Sequence, residues 1–422
     1  MIPGPRSREL LAIVRRHEAR GVTYVADDYP IVWGSANGAT VTDVDGNTYT
    51  DLTSAFGVAN VGHANARVVA AVSTQAARLV HGMGDVHPPE TKVRLLARLA
   101  GVAPSGLERV FLASTGAETI EFALKTAYLA TGRPRAIAFE GAYHGLSLGA
   151  LEVGGIDRFR RPFAPLVAER TTYLPFPGSR EPLDAALDVL RAALRNDPAI
   201  GAVVLEPIQG RGGVIVPPDG YLAGVRDACH EAGAVMILDE IYTGFARTGT
   251  FFACDRERVV PDLMCVGKAI AGGVPLSATL GSAAIMDAWP VSEGEALHTS
   301  TYLGNPLACA AALAVIDEIE ERDLCARARV LEALLGDPLR AFADDGLVDE
   351  ARGRGALWAI EFGDAARANR IVRRALGAGI ILLQSGTDGT SVTLAPPLVI
   401  DDDLLADALA RLRAILISEV IA

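Results

Sequence analysis

Lys268 stands at the end of an apolar run, Leu263-Met264-Cys265-Val266-Gly267-Lys268, with Gly272 and Gly273 just beyond it. A lysine delivered there is not a solvated surface charge. Partial burial and nearby cations lower an amine's pKa and equip it to attack a carbonyl as a Schiff-base nucleophile. A second apolar run, Val235-Met236-Ile237-Leu238, ends in Asp239 and Glu240. Open α/β sheets place their ligands at that carboxyl end. Asp239 is positioned to face such a site, where a carboxylate can hold a protonated ring nitrogen by a charge-assisted hydrogen bond. A helix cap or a metal-binding acid are the alternatives for that residue. The third stretch, Val110-Phe111-Leu112-Ala113-Ser114-Thr115-Gly116-Ala117-Glu118, reads as a strand, a glycine turn and a helix start. Free amides at a helix start favour a phosphate. Alone it is an ordinary strand-to-helix turn; with the lysine and the acid it becomes specific.

These residues need a scaffold that brings several strand ends together. β-rich runs at 109–112, 136–139, 202–205, 235–238 and 263–266 alternate with helical stretches such as 222–231. That alternation implies a mainly parallel sheet covered on both faces. Ahead of it lie a helix containing Leu10 to Val14 and a hairpin turning at Asp45-Gly46-Asn47 between 39–42 and 48–49. From about Ile316 the chain reads as helix, strand, helix, strand and a long final helix near 404–417, with Asp401 to Asp403 supplying its cap. The expected division is an N-terminal segment at 1–60 packing with the small domain, a large domain at 61–315 and a small C-terminal α/β domain at 316–422. Gly210 to Gly213 and Gly272-Gly273 mark loops where backbone must approach something closely, a ligand being one candidate.

The chain's 422 residues are half hydrophobic and carry a formal charge of −12. Such an acidic balance argues against nucleic acid or an anionic membrane as partner, both of which are bound through basic patches. Five cysteines without the close spacing of a zinc or redox motif suggest reduced thiols and no metal site. The start lacks a signal peptide's apolar core, and no run nears the about 20 apolar residues that span a bilayer. A cytoplasmic enzyme of small molecules is the expectation.

The order of motifs resembles the class III aminotransferases of pyridoxal 5′-phosphate (PLP) fold type I over nearly the whole chain. Thr115-Gly116-Ala117-Glu118 is similar to the family's phosphate loop, and Tyr143-His144-Gly145 to the segment whose ring stacks on the cofactor. Glu206-Pro207-Ile208-Gln209-Gly210, Asp239 to Gly249, Gly267-Lys268, Thr301 to Pro306 and Arg352-Gly353-Arg354-Gly355 follow in family order. The resemblance implies an α/β fold, a large domain with a mainly parallel sheet plus a small C-terminal domain. It implies that Lys268 forms the Schiff base and serves as base, while Asp239 holds the pyridine nitrogen. Thr115, Gly116 and Ala117 would hold the phosphate, Tyr143 and Ile241 the two ring faces, and His144, Glu206 and Tyr242 the cofactor's surroundings. Plain core packing is the competing account of Tyr143 and Ile241, and structural hydrogen bonding that of His144. Thr301 resembles the threonine that reaches the neighbouring subunit's phosphate, so the expected unit is a homodimer with shared sites.

The sequence also departs from that pattern. Leu146 stands where many relatives acting on ω-amino acids and 2-oxoglutarate have one carboxylate-clamping arginine, and Thr393 where they have the other. Bidentate arginine is what recognises a carboxylate well. The expected function is therefore transfer of an amino group from an amine or amino acid to a carbonyl acceptor, but not the usual 4-aminobutyrate and 2-oxoglutarate pair. Phe56 and Leu146 suggest an apolar pocket wall. Arg211, in Gly210-Arg211-Gly212-Gly213, is either a substrate anchor or a solvated loop charge. Glu206 would pair with Arg211 or face a substrate amine or hydroxyl, and Tyr242 replaces a frequent glutamine. A racemase, epimerase or aminomutase of the same fold would keep Lys268 and Asp239. A non-catalytic PLP-binding regulator would need an output module, and no basic N-terminal extension supplies one.

Overall fold

The computed structural model describes residues 2–421. A first helix, Pro5–His17, carries proline in its opening turn, where no backbone donor is needed. Asp45, in the following hairpin turn, accepts the N–H groups of Arg6 and Ser7 at 2.7 and 2.9 Å and so ties the helix start to the hairpin. Strands β1 (Trp33–Asn37), β2 (Thr40–Asp43) and β3 (Thr48–Asp51) form an antiparallel meander.

Seven strands build the central sheet: β4 (Arg109–Ala113), β5 (Arg135–Phe139), β6 (Thr171–Leu174), β7 (Ile200–Leu205), β8 (Val235–Asp239), β9 (Leu263–Val266) and β10 (Ser277–Gly281). Their spatial order is β4-β10-β9-β8-β7-β5-β6. All neighbours run parallel except β10, which is antiparallel to both β4 and β9. Side chains alternate across the pleat. Ala202 and Val204 therefore join Ile120 and Ala123 of the helix Gly116–Thr131 on one face. Val203 and Leu205 join the main core on the other, with Val225 of the helix Tyr221–Ala232 and Val315 of the helix Pro306–Glu321. Two strands were not expected. β6 is an edge strand of the half-polar sequence Thr-Thr-Tyr-Leu, and β10 is built of the small residues Ser-Ala-Thr-Leu-Gly, so neither carries an apolar run.

The last hundred residues contain more strands than the expected two. β11 (Glu350–Arg354), β12 (Leu357–Glu361), β14 (Leu383–Ser385) and β15 (Ser391–Leu394) form an antiparallel sheet in the order β11-β12-β15-β14. β13 (Ile380–Ile381) instead pairs in parallel with β3, setting Ile380 beside Thr50. Asp401 caps the final helix, Asp402–Ile421, by accepting the N–H of Asp403 at 2.9 Å.

One buried side chain stitches these parts together. Arg247 donates to the carbonyls of Ala356 and Pro396 at 3.0 and 2.6 Å, to Ser54 Oγ at 3.1 Å, and to Asn60. Its guanidinium has no carboxylate partner among the described residues, and burial lowers its pKa to about 10.

Candidate active site

A cavity of about 490 Å³ opens at the carboxyl ends of five central strands. β4 delivers Ser114, Gly116 and Ala117; β5 delivers Tyr143 to Leu146; β7 delivers Glu206; β8 delivers Asp239, Ile241 and Tyr242; β9 delivers Lys268. Each of these chemistry-bearing residues sits where an apolar strand leaves the sheet and its backbone is free to turn.

At the β4 turn a 16-residue helix begins at Gly116, capped by a reciprocal pair of bonds. Thr115 Oγ1 accepts the Glu118 N–H at 3.3 Å, while Glu118 Oε2 accepts the Ser114 and Thr115 N–H groups at 2.7 and 3.0 Å. The N–H groups of Gly116 and Ala117 have no partner among the described residues. They form an anion cradle reinforced by the helix dipole. A side chain at Gly116 would lie 2.7 Å from Ile241 Cδ1, so Gly116 permits the close approach that shapes this wall.

Asp239 is buried, with Oδ2 2.7 Å from His144 Nδ1 and Oδ1 accepting the Ile241 N–H at 3.0 Å. Burial pulls the His144 pKa down, but the hydrogen bond and charge of Asp239, with Glu206 behind, more than offset it and the net shift is upward. His144 Nε2 is buried and has no partner among the described residues. Lys268 adopts a left-handed φ of 46° and holds Nζ 4.0 Å from the centroid of the Tyr242 ring. Burial lowers its pKa against the opposing charges of Asp239 and Glu206, which raises the share of neutral amine. Glu206 accepts the N–H groups of Tyr143 and Gly210 at 3.0 and 2.9 Å, and burial pushes its pKa up to about 7.

Gly116, Ala117, Tyr143, His144, Leu146, Glu206, Asp239, Ile241, Tyr242 and Lys268 thus meet in one cavity. Other residues named from the sequence stand elsewhere. Thr115 is exposed and its hydroxyl is committed to the helix cap, while its neighbour Ser114 lines the cavity. Phe56 is 63% exposed and borders a separate cavity of about 370 Å³ with Tyr29 and Trp33, so it shares no wall with Leu146. Thr393 is buried in β15, where Oγ1 bonds Ser385 Oγ at 2.6 Å. Thr301 is exposed in a loop outside the cavity. Arg211 lies beside Tyr143 and Tyr242 and donates through Nη1 to the Gln384 carbonyl at 3.0 Å; its ion pair with Glu206 is not formed. Val58, Gly145 and the 273–276 segment line the cavity without having been named as site residues. Gly272-Gly273 was the available signal for the last of these.

The chain matches the family model described as aminotransferase class-III over residues 23–416. It is 40% identical over 441 residues to a 4-aminobutyrate aminotransferase of Mycobacterium tuberculosis, covering 98% of this chain and 96% of the relative. Among solved structures it is similar to an amine transaminase from an uncultivated Pseudomonas species in its PLP-bound form. That likeness has a TM-score of 0.88 at 30% identity, covering 95% of this chain and 98% of the other. It is also similar to the ornithine aminotransferase of Toxoplasma gondii, with a TM-score of 0.86 at 31% identity over 98% and 95% of the two chains.

Sheet, cavity and likeness together define an enzyme of PLP fold type I. The chain belongs to the class III aminotransferases, and its cofactor is pyridoxal 5′-phosphate. The residues present fit that group: two unpartnered amides for a phosphate, a buried carboxylate for a ring nitrogen and a buried amine for the carbonyl carbon. Among the described residues no cluster of His, Cys, Asp and Glu is able to hold a metal ion, and no helix is long and apolar enough to cross a membrane.

Proposed function

We propose that this aminotransferase takes its amino group from an uncharged or apolar amine and passes it to a carbonyl acceptor, rather than using 4-aminobutyrate with 2-oxoglutarate. One observation carries the reading: among the described residues no arginine lines the cavity, and Leu146 stands half exposed in its wall. The relative named for 4-aminobutyrate acts on a substrate whose carboxylate needs a cationic partner. Among the described residues Lys268 is the one lysine or arginine lining the cavity, and its amine is reserved for chemistry.

In this reading Gly116 and Ala117 amides hold the phosphate, Tyr143 and Ile241 flank the ring, and Asp239 holds the ring nitrogen with His144 fixing the carboxylate from behind. PLP, when bound, supplies an electron sink that weakens the Cα–H bond of an attached amine. Lys268, whose pKa burial lowers, would take the Cα proton on Nζ and hold it for return. Glu206 orders the Tyr143 and Gly210 backbone at the cavity's edge.

The active unit in this reading is a cytoplasmic homodimer with shared sites. The loop bearing Thr301 is fastened to a neighbouring turn by a 2.7 Å bond from Thr299 to Asp85; it exposes Tyr302, whose ring meets His81, and the turn exposes Met83 and Val86. Such an apolar face suits a second copy. Five free thiols suit a reducing compartment. The test compares specificity constants of matched charged and uncharged amines, together with sedimentation at assay concentration. If 4-aminobutyrate with 2-oxoglutarate is the best pair, or the active species is a monomer, the corresponding part of the proposal fails. Release of a carbonyl product from the amine alone separates transfer from isomerisation.

A further inference from the structure

A second cavity, of about 500 Å³, opens at the amino-terminal ends of the central strands, where Arg135 and Ala136 begin β5, Thr171 begins β6 and Ala202 enters β7. It shares no lining residue with the cavity that holds Lys268. Its base is apolar and made of small buried side chains, Ala127, Ala136, Val153 and Ala202. Tyr128 stands beside that base, 52% exposed, on the same helix as Ala127. The volume lies within the range of small-molecule sites, about 300–1,000 Å³.

The lining is cationic in a chain whose formal charge is −12. Lys125, Arg133, Arg135 and Arg170 stand against two carboxylates, those of Glu121 and Glu152. Both acids are engaged with uncharged groups. Glu121 Oε1 accepts from Ser147 Oγ and the Gly149 N–H at 2.8 and 2.9 Å, and Glu152 Oε1 accepts the Arg170 backbone N–H at 2.6 Å. Asp197 neutralises Arg135 at 2.7 Å from its Nε. The other three cations have no carboxylate partner among the described residues. Arg133 donates to the carbonyls of Ala232 and Gly233, Lys125 Nζ lies 3.4 Å from His298 Nδ1, and the exposed Arg170 guanidinium makes no bond. Like charges gathered in a concave wall raise the local potential and draw an anion. Three unneutralised cations suit more than one negative charge, and a phosphate monoester carries about −1.5 to −2 at neutral pH.

We propose that this second cavity binds a planar phosphate monoester, of the kind that a nucleoside monophosphate or a free pyridine phosphate supplies. The phosphate draws on Lys125, Arg133 and Arg170, and the planar body lies over the small-residue base with the Tyr128 ring as its side wall. A bulky side chain at Ala127, Ala136 or Ala202 would fill the space that the planar body needs. The site uses none of the residues assigned to amino transfer, so it stands or falls apart from the substrate reading above.

The experiment uses the PLP-loaded enzyme, in which the phosphate cradle at Gly116 and Ala117 is already filled. AMP and pyridoxine 5′-phosphate are titrated separately by calorimetry; the latter has no aldehyde and forms no Schiff base with a lysine. At least one of the two is expected to bind, and to bind less tightly as salt is added. Tighter binding of AMP supports a nucleotide as the source of the ligand, and tighter binding of pyridoxine 5′-phosphate supports a pyridine phosphate. Adenosine or pyridoxine, which lack the phosphate, and inorganic phosphate, which lacks the ring, each bind at least roughly tenfold more weakly. Lys125→Gln and Arg170→Gln each weaken binding by at least roughly threefold and together by at least roughly tenfold, and Arg170→Lys recovers most of its share. Tyr128→Ala weakens it by at least roughly fivefold, the worth of a ring contact. All variants keep the wild-type cofactor absorbance and Tm, since the three positions are at the surface. If neither probe binds the wild type at millimolar concentration, or if the Lys125→Gln and Arg170→Gln double variant binds as tightly as wild type, the site is refuted. Inorganic phosphate binding as tightly as both probes refutes it too, reducing the cavity to a patch that collects any anion.

Discussion

Glu240 follows Asp239 directly, yet the strand's pleat turns it away from the cavity and into the protein, where it is fully buried. Oε1 accepts the Cys254 N–H at 2.8 Å, and the other oxygen shares a short hydrogen bond with the Thr243 hydroxyl. Burial pushes the carboxyl from its ordinary 4.5 up to about 7, against the pull of those bonds. Folded chains therefore hold a proton on Glu240 over a range in which unfolded chains have lost it. The resulting stability is fully present below about 4.5 and is lost as pH rises to and through about 7. At about 1.4 kcal/mol per pH unit, the interval is worth up to about 3 kcal/mol. Glu240→Gln keeps the shape and the oxygen that accepts from Cys254, and offers an amide donor to Thr243, but never ionises. Below pH 5 the variant and wild type should be close in stability; by pH 8 the variant should be the more stable by up to about 3 kcal/mol. Thermal unfolding followed by circular dichroism at pH 5, 6, 7 and 8, with cofactor loading held equal, reads the difference. A gap that does not change with pH, or one that favours wild type at pH 8, refutes the argument.

Three further substitutions test the site and its frame. Lys268→Ala removes both the nucleophile and the proton carrier, and turnover should fall by at least roughly 1000-fold while the fold persists; retained activity measured in steady-state assays would move the base elsewhere. Asp239→Asn exchanges a charge-assisted bond for a neutral one and should slow Cα deprotonation by roughly 10- to 100-fold, seen as a reduced primary isotope-sensitive rate with an unchanged circular dichroism spectrum. It also removes the charge that raises the His144 pKa, so the imidazole should titrate at lower pH by NMR. Ala55 has φ 48° and ψ 60° in the left-handed turn after β3, a conformation that costs a β-carbon about 1 kcal/mol or more. Ala55→Gly should raise stability by about 0.5–1 kcal/mol after the entropy of a freer unfolded chain is offset, and a lowered Tm would count against strain at this turn.

Residues at the ends of apolar runs were legible because a buried parallel strand announces both itself and the position where it stops. Lys268, Asp239 and Glu206 each follow such a run, and all three reach the cavity. Residues assigned from a motif alone fared differently. Thr393 lies in β15 between Val392 and Leu394, which turn into the main core, so the pleat sends its hydroxyl the other way to Ser385. Phe56 follows two residues with positive φ, and that left-handed turn carries its ring to a neighbouring cavity while Val58 takes the wall beside Lys268. No alternation rule reads across a turn of that kind. Thr115 was correctly located at the start of a helix, but its hydroxyl has a competing and closer acceptor role in the cap. The edge strand β6 and the small-residue strand β10 lack the apolar signature for opposite reasons, one being half solvated and the other packed too tightly for large side chains.

The glycines of 210–213 read as points of close approach, and the chain itself comes close to them. A side chain at Gly212 would lie 2.7 Å from the Gly141 carbonyl, and one at Gly210 would strike the Tyr242 ring. Gly57, on a different segment, meets the same ring from another side with φ 76°. Two glycines from distant parts of the sequence therefore make room for one tyrosine, at the position where relatives often carry glutamine. The ring that fills this slot also supplies the face over which Lys268 Nζ rests. A neutral amine loses nothing there, whereas an ammonium gains a cation–π contact, so the aromatic face works against the burial that lowers the Lys268 pKa. A glutamine in the same slot would leave space beside both glycines and remove that face. The size of residue 242 is thus coupled to the reactive amine through packing, and a change at Tyr242 has to be read together with Gly57 and Gly210 rather than as an isolated substitution.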